Sequence, residues 1–304
     1  MREPDRDSPG ASQPAFVGVL AVVGVGLIGG SFAAALRKND VVGRILGVGR
    51  HAKTLEQARS LGLIDEAVTL QQAAEQADII LLAVPVGATR TILEGLEPYL
   101  REGTVVTDAG STKRNVVQDA RDVLGEKIGQ FIPGHPVAGA EVTGPAAADA
   151  DLFSGRTVVL TPLRENTTDA KALLTRVWEC CGARVVTMEA QAHDVALASV
   201  SHVPHFLAAV FMQQVAAAPD ADSRMALAGT GFRDFTRIAA GSPEMWRDIF
   251  LANREALLSE LREVKAALAQ AEQCVCSGDS QKLYDFLERA ALARRFWGAR
   301  SGLS

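Results

Sequence analysis

The stretch Gly24-Val25-Gly26-Leu27-Ile28-Gly29 decides the fold of the first half of this 304-residue chain. It follows an almost entirely apolar run, Phe16 to Val23, which predicts a strand buried on both faces. Between a strand and a helix, the three glycines permit a tight turn, approach of a pyrophosphate and close helix packing. The helix that opens at Leu27 and Ile28 offers free N–H groups to the phosphates. The sequence therefore predicts a dinucleotide site at residues 24–29.

The second predicted strand, Arg44 to Gly49, ends in Arg50. A carboxylate at this point would accept hydrogen bonds from the ribose 2′-hydroxyl of NAD and repel the 2′-phosphate of NADP. Arg50, with Lys53 nearby, favours a phosphate, although it could instead stack on the adenine or point to solvent. We expect NADP or NAD as the cofactor, with a lean to NADP or dual use.

Further apolar runs that predict strands alternate with helical stretches as far as residue 187. They are Ile79 to Val84, Thr104 to Thr107, Phe131 with Ile132, Thr157 to Thr161 and Arg184 to Thr187. This alternation predicts an α/β domain with a doubly wound, Rossmann-type parallel sheet. Ser111 and His135 follow strands at the edge that carries the glycine loop, where such sheets bind ligands. His135 lies between Gly134 and Pro136, so it could also be only a turn residue.

The second half of the chain predicts helices alone. In the helical pattern from Ala190 to Ala218, Pro204 predicts a kink or break within Ser201-His202-Val203-Pro204-His205. We expect His202 to be structural and His205 to be the functional histidine. Residues 229–238 hold Arg233, Asp234 and Arg237, which suit an anionic ligand, with a solvated Arg–Asp pair as the alternative.

Two patterns shape the end of the chain. Ser242 and Pro243 predict the start of a helix, with serine as the N-cap. A heptad-like seam follows, which could fill a monomer core or a dimer interface, at Leu257, Leu261, Val264, Leu268 and Ala271. We divide the chain into a disordered leader (1–15), a dinucleotide-binding domain (16–189) and an all-helical domain (190–304).

Composition excludes several classes of protein. The net charge of −5 argues against a non-specific nucleic-acid binder. No unbroken apolar run approaches the roughly 20 residues of a membrane span, and the leader lacks the apolar core of a secretory signal. The four cysteines lack the spacing of a zinc site and there is no H-E-x-x-H, so we expect reduced thiols, no metal site and a cytoplasmic location.

Six motifs together resemble the prephenate/arogenate (cyclohexadienyl) dehydrogenase family of tyrosine biosynthesis. In chain order they occupy residues 24–31 (GVGLIGGS), 108–113 (DAGSTK), 134–141 (GHPVAGAE), 152–155 (LFSG), 201–205 (SHVPH) and 231–237 (GFRDFTR). The resemblance implies a cofactor domain followed by a helical dimerisation domain that forms a homodimer. It also implies an oxidative decarboxylation of a small-molecule substrate, with hydride transfer to NAD(P)⁺.

The resemblance also implies roles for single residues. His135 would be the base at the substrate hydroxyl, Ser111 would bond that hydroxyl or His135, and Arg237 would hold the ring carboxylate. The other implied site residues are His205 and Ser201 at the side-chain end of the pocket and Glu141 in a supporting polar network. A base of this kind must be neutral, and we expect it to titrate near the pKa of an ordinary histidine.

Two other functions fit parts of the pattern. A β-hydroxyacid dehydrogenase shares the two-domain layout, but its catalytic lysine sits in a glycine-rich helix, a setting that Lys171 and Lys265 lack. A dinucleotide-binding sensor without turnover is the second alternative, against which Ser111, His135 and Arg237 together argue. The sequence does not distinguish prephenate from arogenate.

Overall fold

The computed structural model describes residues 16–139 and 142–301. The predicted leader (1–15) and Glu141 lie outside the described residues. The chain forms two sheets followed by helices, and the elements are named below in chain order.

The first sheet has six parallel strands in the order β3-β2-β1-β4-β5-β6. The strands are β1 (Val17–Val23), β2 (Val42–Val48), β3 (Glu66–Ala67), β4 (Ile79–Leu82), β5 (Val105–Asp108) and β6 (Phe131–Ile132). The order reverses direction between β1 and β4, which makes the carboxyl end of β1 the crevice where such sheets bind ligands. The predicted doubly wound parallel sheet is confirmed.

Helices cover both faces of this sheet because the side chains of each strand alternate between two apolar clusters. Leu20 and Val22 of β1 face one cluster, and Ala21 and Val23 face the other. The helices that connect the strands are α1 (Leu27–Lys38), α2 (Ala52–Ser60), α3 (Leu70–Gln76), α4 (Thr89–Leu96) and α5 (Arg114–Leu124). The helices α1 and α2 pack on the first face, and α3, α4 and α5 on the second.

The remaining strands form a separate sheet, which the sequence did not predict. Its order is β7 (Gly134–Pro136), β8 (Thr157–Leu160) and β9 (Arg184–Thr187), and α6 (Thr168–Cys180) connects β8 to β9. The pairing of β7 with β8 is antiparallel, with His135 opposite Val159. His135 therefore lies inside a strand of the second sheet, rather than only following a strand of the first.

A long helical run of two α-helices follows β9. It contains α7 (Ala190–Leu197), a single π-helical segment (Ala198–His202) and α8 (Val203–Ala216). The kink or break predicted at Pro204 falls at this interruption of the α-helix. Pro204 itself lies near the start of α8, where its missing N–H breaks no helical hydrogen bond. Extra turns of this kind are frequent at functional sites.

Five more α-helices follow among the described residues: α9 (Ala221–Ala226), α10 (Thr230–Thr236), α11 (Pro243–Ala252), α12 (Arg254–Cys276) and α13 (Ser280–Ser301). The predicted N-cap is confirmed, since the Ser242 hydroxyl accepts from the Met245 N–H. The chain separates into two compact units, residues 1–253 and 254–304. The helices α7 to α11 thus belong to the same unit as the sheets, and the functional boundary at 189/190 stays a prediction.

The run Ala190–Ala216 bears on the expectation that the chain has no membrane span. The run has 27 residues, and an 18-residue window within it has a mean hydropathy of 1.6, so length and composition alone would let it cross a membrane. A core helix in a soluble protein passes the same test, so a single such helix is weak evidence. The buried residues His193, Asp194 and His202 in this run carry polar groups that bond within the protein.

Candidate active site

The glycine loop has the shape that a dinucleotide requires. Gly24 has a φ of 93°, and a Cβ there would overlap the Ala83 carbonyl oxygen. A Cβ on Gly29 would overlap the Gly24 carbonyl oxygen and come within 2.7 Å of Val22 Cγ1. A Cβ on Gly26 would meet nothing within 4 Å, so that glycine is not needed by the fold. The space over Gly26 and the start of α1, where no side chain caps the free N–H groups, fit a pyrophosphate.

Arg50 lies beyond the end of β2, and β2 is the strand that pairs with β1. Arg50 and Lys53 are both exposed. Across the described part of the chain neither forms an ion pair with an acidic side chain. Both cations are thus available at the edge where the ribose of a dinucleotide would lie.

A buried ion pair fixes the loop after β5. Asp108 and Lys113 are 1% and 0% exposed, and the Lys113 ammonium contacts the Asp108 carboxylate. The Gly134 N–H donates to Asp108 Oδ1 (3.0 Å), while Lys113 Nζ donates to the Gly134 carbonyl oxygen (2.6 Å). Both backbone groups of Gly134 are therefore bound by this pair, which sets the position of His135 on β7. Ser111 is half-buried in the loop that the pair encloses.

His135 begins a chain of buried hydrogen bonds. Its Nδ1 lies 2.8 Å from His193 Nε2, and His193 Nδ1 lies 2.8 Å from Asp194 Oδ1. Asp194 also accepts from the backbone N–H groups of Lys113 (2.8 Å) and Arg114 (2.9 Å) at the start of α5. The helix α7 is thereby joined to the loop that carries Ser111.

The surroundings of this hydrogen-bond chain keep His135 neutral. Burial lowers the pKa of His135 well below its usual value, and the neighbouring His193, Lys113 and His202 lower it further. The pKa expected from sequence, near that of an ordinary histidine, is corrected downward. Burial alone would raise the pKa of Asp194, but the hydrogen bonds from His193, Arg114 and Lys113 outweigh it and lower the pKa.

The histidines of the π segment and α8 have different surroundings. His202 is buried, its Nδ1 lies 3.1 Å from Asn253 Nδ2, and its buried Nε2 has no partner within the described residues. His205 stacks on Trp246, with ring centroids 3.6 Å apart. Burial lowers the pKa of each histidine to about 4. Ser201 is half-buried in the π segment.

Arg237 lies in the helical part of the chain. It opens a short 3-10 turn after α10 and is exposed in the single chain. The exposed ion pair that the sequence suggested as an alternative joins Arg233 to Asp234 (3.3 Å). A contact between Arg237 and a substrate carboxylate stays a prediction.

Sequence reasoning missed four residues of this centre: Lys113, His193, Asp194 and Asn253. Lys113 stands inside a quoted motif, two residues after Ser111. His193 and Asp194 form an adjacent His–Asp pair at the start of the first helix after the last strand, and that pair was the available signal. Asn253 donates to the Asp194 carbonyl oxygen (2.7 Å), a contact that no spacing in the sequence indicates.

Comparison with known proteins gives a consistent result in both halves of the chain. Residues 32–187 match the family model described as prephenate dehydrogenase, nucleotide-binding domain, and residues 189–289 match prephenate dehydrogenase, dimerization domain. The cyclohexadienyl dehydrogenase of Zymomonas mobilis is 34% identical over 281 residues, covering 90% of this chain and 94% of the relative. The prephenate dehydrogenase of Bacillus subtilis is 34% identical over 274 residues, covering 89% and 74%.

Solved structures agree with these relatives. Prephenate dehydrogenase from Aquifex aeolicus, in complex with hydroxyphenyl propionate and NAD⁺, is 34% identical with a TM-score of 0.86 and covers 91% of this chain and 97% of that one. Arogenate dehydrogenase from Synechocystis is 32% identical with a TM-score of 0.79 and covers 92% and 99%.

Proposed function

The chain belongs to the prephenate dehydrogenase family, and we propose that it oxidatively decarboxylates prephenate, arogenate or both with hydride transfer to NAD⁺ or NADP⁺. The observation that carries the proposal is the buried His135, which the lowered pKa keeps neutral and which the Asp108–Lys113 pair holds on β7. A neutral histidine is what removal of a hydroxyl proton requires.

The reaction divides between the cofactor and the protein. A bound nicotinamide would supply the acceptor for the hydride on the ring carbon that bears the hydroxyl. His135 takes the proton from that hydroxyl, the ring carboxylate leaves as CO₂, and the ring becomes aromatic. In this proposal Ser111 orients the hydroxyl or His135, and Arg237 holds the ring carboxylate. The remaining pocket residues are His205, Ser201 and, outside the described residues, Glu141.

The finer choice of cofactor is part of the proposal. The Aquifex relative binds NAD⁺, and the glycine loop of this chain fits a dinucleotide. Arg50 and Lys53 are exposed beyond the end of β2 and form no ion pair among the described residues. They support NADP or dual use, because a 2′-phosphate needs cationic partners there.

We further propose a homodimer formed through the helical domain. The dimerization-domain model matches residues 189–289. Large apolar side chains are exposed within this stretch in the single chain, among them Val210, Phe211, Leu227, Phe235, Met245 and Leu268. Exposed apolar groups in this number favour a partner surface. A cytoplasmic location also fits a biosynthetic dehydrogenase with a small-molecule substrate.

The test measures formation of reduced cofactor by its absorbance. Purified protein is mixed with prephenate or arogenate and with NAD⁺ or NADP⁺. We expect turnover in the wild type, and His135→Asn should lower kcat by about 10²–10⁴-fold with cofactor affinity unchanged, the usual range for a general base. The plateau of kcat/KM should extend below pH 6.5, because the pKa of His135 is lowered.

Two outcomes would contradict the proposal. Wild-type protein that binds cofactor but turns over neither substrate would favour the sensor alternative. A near-normal kcat in His135→Asn would remove His135 from the reaction.

A further inference from the structure

We propose that His193 and Asp194 are positioning residues that make Nε2 of His135 the basic nitrogen. The inference rests on the proposed function for its chemistry, but its geometry is independent of the substrate. His193 and Asp194 are 0% and 1% exposed, so neither reaches bulk solvent and both act through His135.

The direction of each hydrogen bond follows from Asp194, which lies at one end of the hydrogen-bond chain. Asp194 is ionised, so its carboxylate only accepts, as the bonds from the Lys113 and Arg114 N–H groups require. His193 must therefore carry its proton on Nδ1 to donate to Asp194 Oδ1 (2.8 Å). Its Nε2 then carries a lone pair and accepts a hydrogen bond from the Nδ1–H of His135 (2.8 Å). A neutral His135 with a proton on Nδ1 has its lone pair on Nε2.

The free nitrogen is the accessible one. His135 keeps 7% of its surface exposed, and its Nε2 bonds to no group in the described parts of the chain. Several buried side-chain atoms of the described residues have no hydrogen-bond partner. Nε2 of His202 is one of these atoms, and Nε2 of His135 is not. Nε2 of His135 therefore retains access to the open side of the centre, where a substrate hydroxyl can approach.

The proton moves between two atoms and comes back. As hydride leaves the ring carbon, the hydroxyl O–H bond breaks and an N–H bond forms at His135 Nε2. Loss of CO₂ then leaves a phenolate oxygen, which takes the same proton back from Nε2. While His135 is charged, its Nδ1–H bond to His193 becomes charge-assisted and stronger. Asp194 remains ionised throughout and stabilises the cation from the far end.

Burial and one nearby charge oppose this cation, and one carboxylate supports it. Burial removes the water that would solvate the cation, and the Lys113 ammonium adds positive potential around His135. Asp108 is already matched by Lys113, which leaves Asp194 as the carboxylate connected to His135 through hydrogen bonds. Removing the Asp194 charge should therefore make protonated His135 harder to form.

A matched pair of variants separates positioning from packing. His193→Gln keeps an acceptor, Oε1, close to where Nε2 meets His135, whereas His193→Leu fills similar space with no acceptor. We expect His193→Leu to lower kcat by about 10–100-fold, part of the usual worth of acid–base catalysis, with little change in KM. His193→Gln should recover most of that loss. Asp194→Asn allows the opposite tautomer and should cost about 10²–10⁴-fold, as in the Ser-His-Asp triad.

The tautomer can be measured directly in the cofactor-free protein. The chain has five histidines, so ¹⁵N-histidine labelling gives few signals, and those lost in His135→Asn belong to His135. We expect protonated Nδ1 and bare Nε2 in the wild type, and a mixture or the reverse in Asp194→Asn. Asp194→Asn should also lower the pH at which His135 becomes protonated, so the pH at which activity is lost on the acid side should not rise above that of the wild type.

Either of two results would overturn the inference. One is a wild-type His135 protonated on Nε2, and the other is equal kcat in His193→Leu and His193→Gln. Should His193→Leu not fold, the wild-type NMR result still decides. A wild type that shows the expected tautomer but no turnover would refute the proposed function and leave the positioning chain intact.

Discussion

The glycine loop allows a sharp test, because its glycines have different physical reasons to be glycine. Gly26 has open space around it and an extended backbone (φ −103°, ψ −151°) that alanine also adopts. Gly29 is enclosed, since a Cβ there would overlap a backbone oxygen and press on Val22 Cγ1 (2.7 Å) and Ala83 Cβ (3.1 Å). The same substitution to alanine should therefore damage binding at one position and folding at the other.

The expected magnitudes follow from these contacts. In Gly26→Ala the loss of a good N-cap, about 0.5–1 kcal/mol, is offset by the lower entropy of the unfolded chain, about 0.4–1 kcal/mol. Its free energy of unfolding should stay within about 1 kcal/mol of wild type. In Gly29→Ala overpacking costs about 3 kcal/mol or more, because a backbone carbonyl cannot rotate away, and the better helix propensity of alanine returns about 1 kcal/mol. The net loss of stability should be at least about 2 kcal/mol.

Two measurements on each variant complete the test. Urea unfolding gives the stability, and titration of NAD⁺ and NADP⁺ gives the affinity. We expect Gly26→Ala to weaken cofactor binding by at least about tenfold, which corresponds to about 1.4 kcal/mol. An unchanged Kd in Gly26→Ala would show that no pyrophosphate lies over this loop. A Gly29→Ala variant as stable as wild type would refute the packing argument.

Three further predictions concern charge. Arg50→Asp should shift the ratio of kcat/KM values from NADP⁺ towards NAD⁺, and a ratio that does not move would make Arg50 a surface residue. Arg237→Gln should raise KM for the substrate by tenfold or more with a much smaller change in kcat, since each charge-assisted bond is worth about 1.5–3 kcal/mol; an unchanged KM in initial-rate assays would exclude the contact. His202 has a pKa of about 4 in the folded protein, so between pH 6.5 and pH 4 the unfolded chain binds a proton that the native state does not, and stability falls as the pH falls. At about 1.36 kcal/mol per pKa unit this contributes about 3 kcal/mol, and His202→Asn should flatten urea-unfolding stability against pH, whereas an equal slope would contradict it.

The sequence predicted much of the fold because apolar patterning and glycine act locally. Strands buried on both faces appear as continuous apolar runs, and Gly24 and Gly29 are required by contacts within the first strand–turn–helix unit. The N-cap at Ser242 is equally local, since donor and acceptor are three residues apart. The second sheet was not predictable in this way, because the antiparallel pairing of β7 with β8 depends on which distant strand is adjacent.

The candidate site shows the same division between local and distant determinants. The sequence by itself determined the dinucleotide loop and the resemblance that the family models confirm. Only the tertiary structure decided that His193 and Asp194 support His135, across 58 positions in the chain. It also decided that the pKa of His135 lies well below its usual value. The physical reason is that burial and hydrogen-bond partners set protonation, and both are properties of the packed chain rather than of any short stretch of sequence.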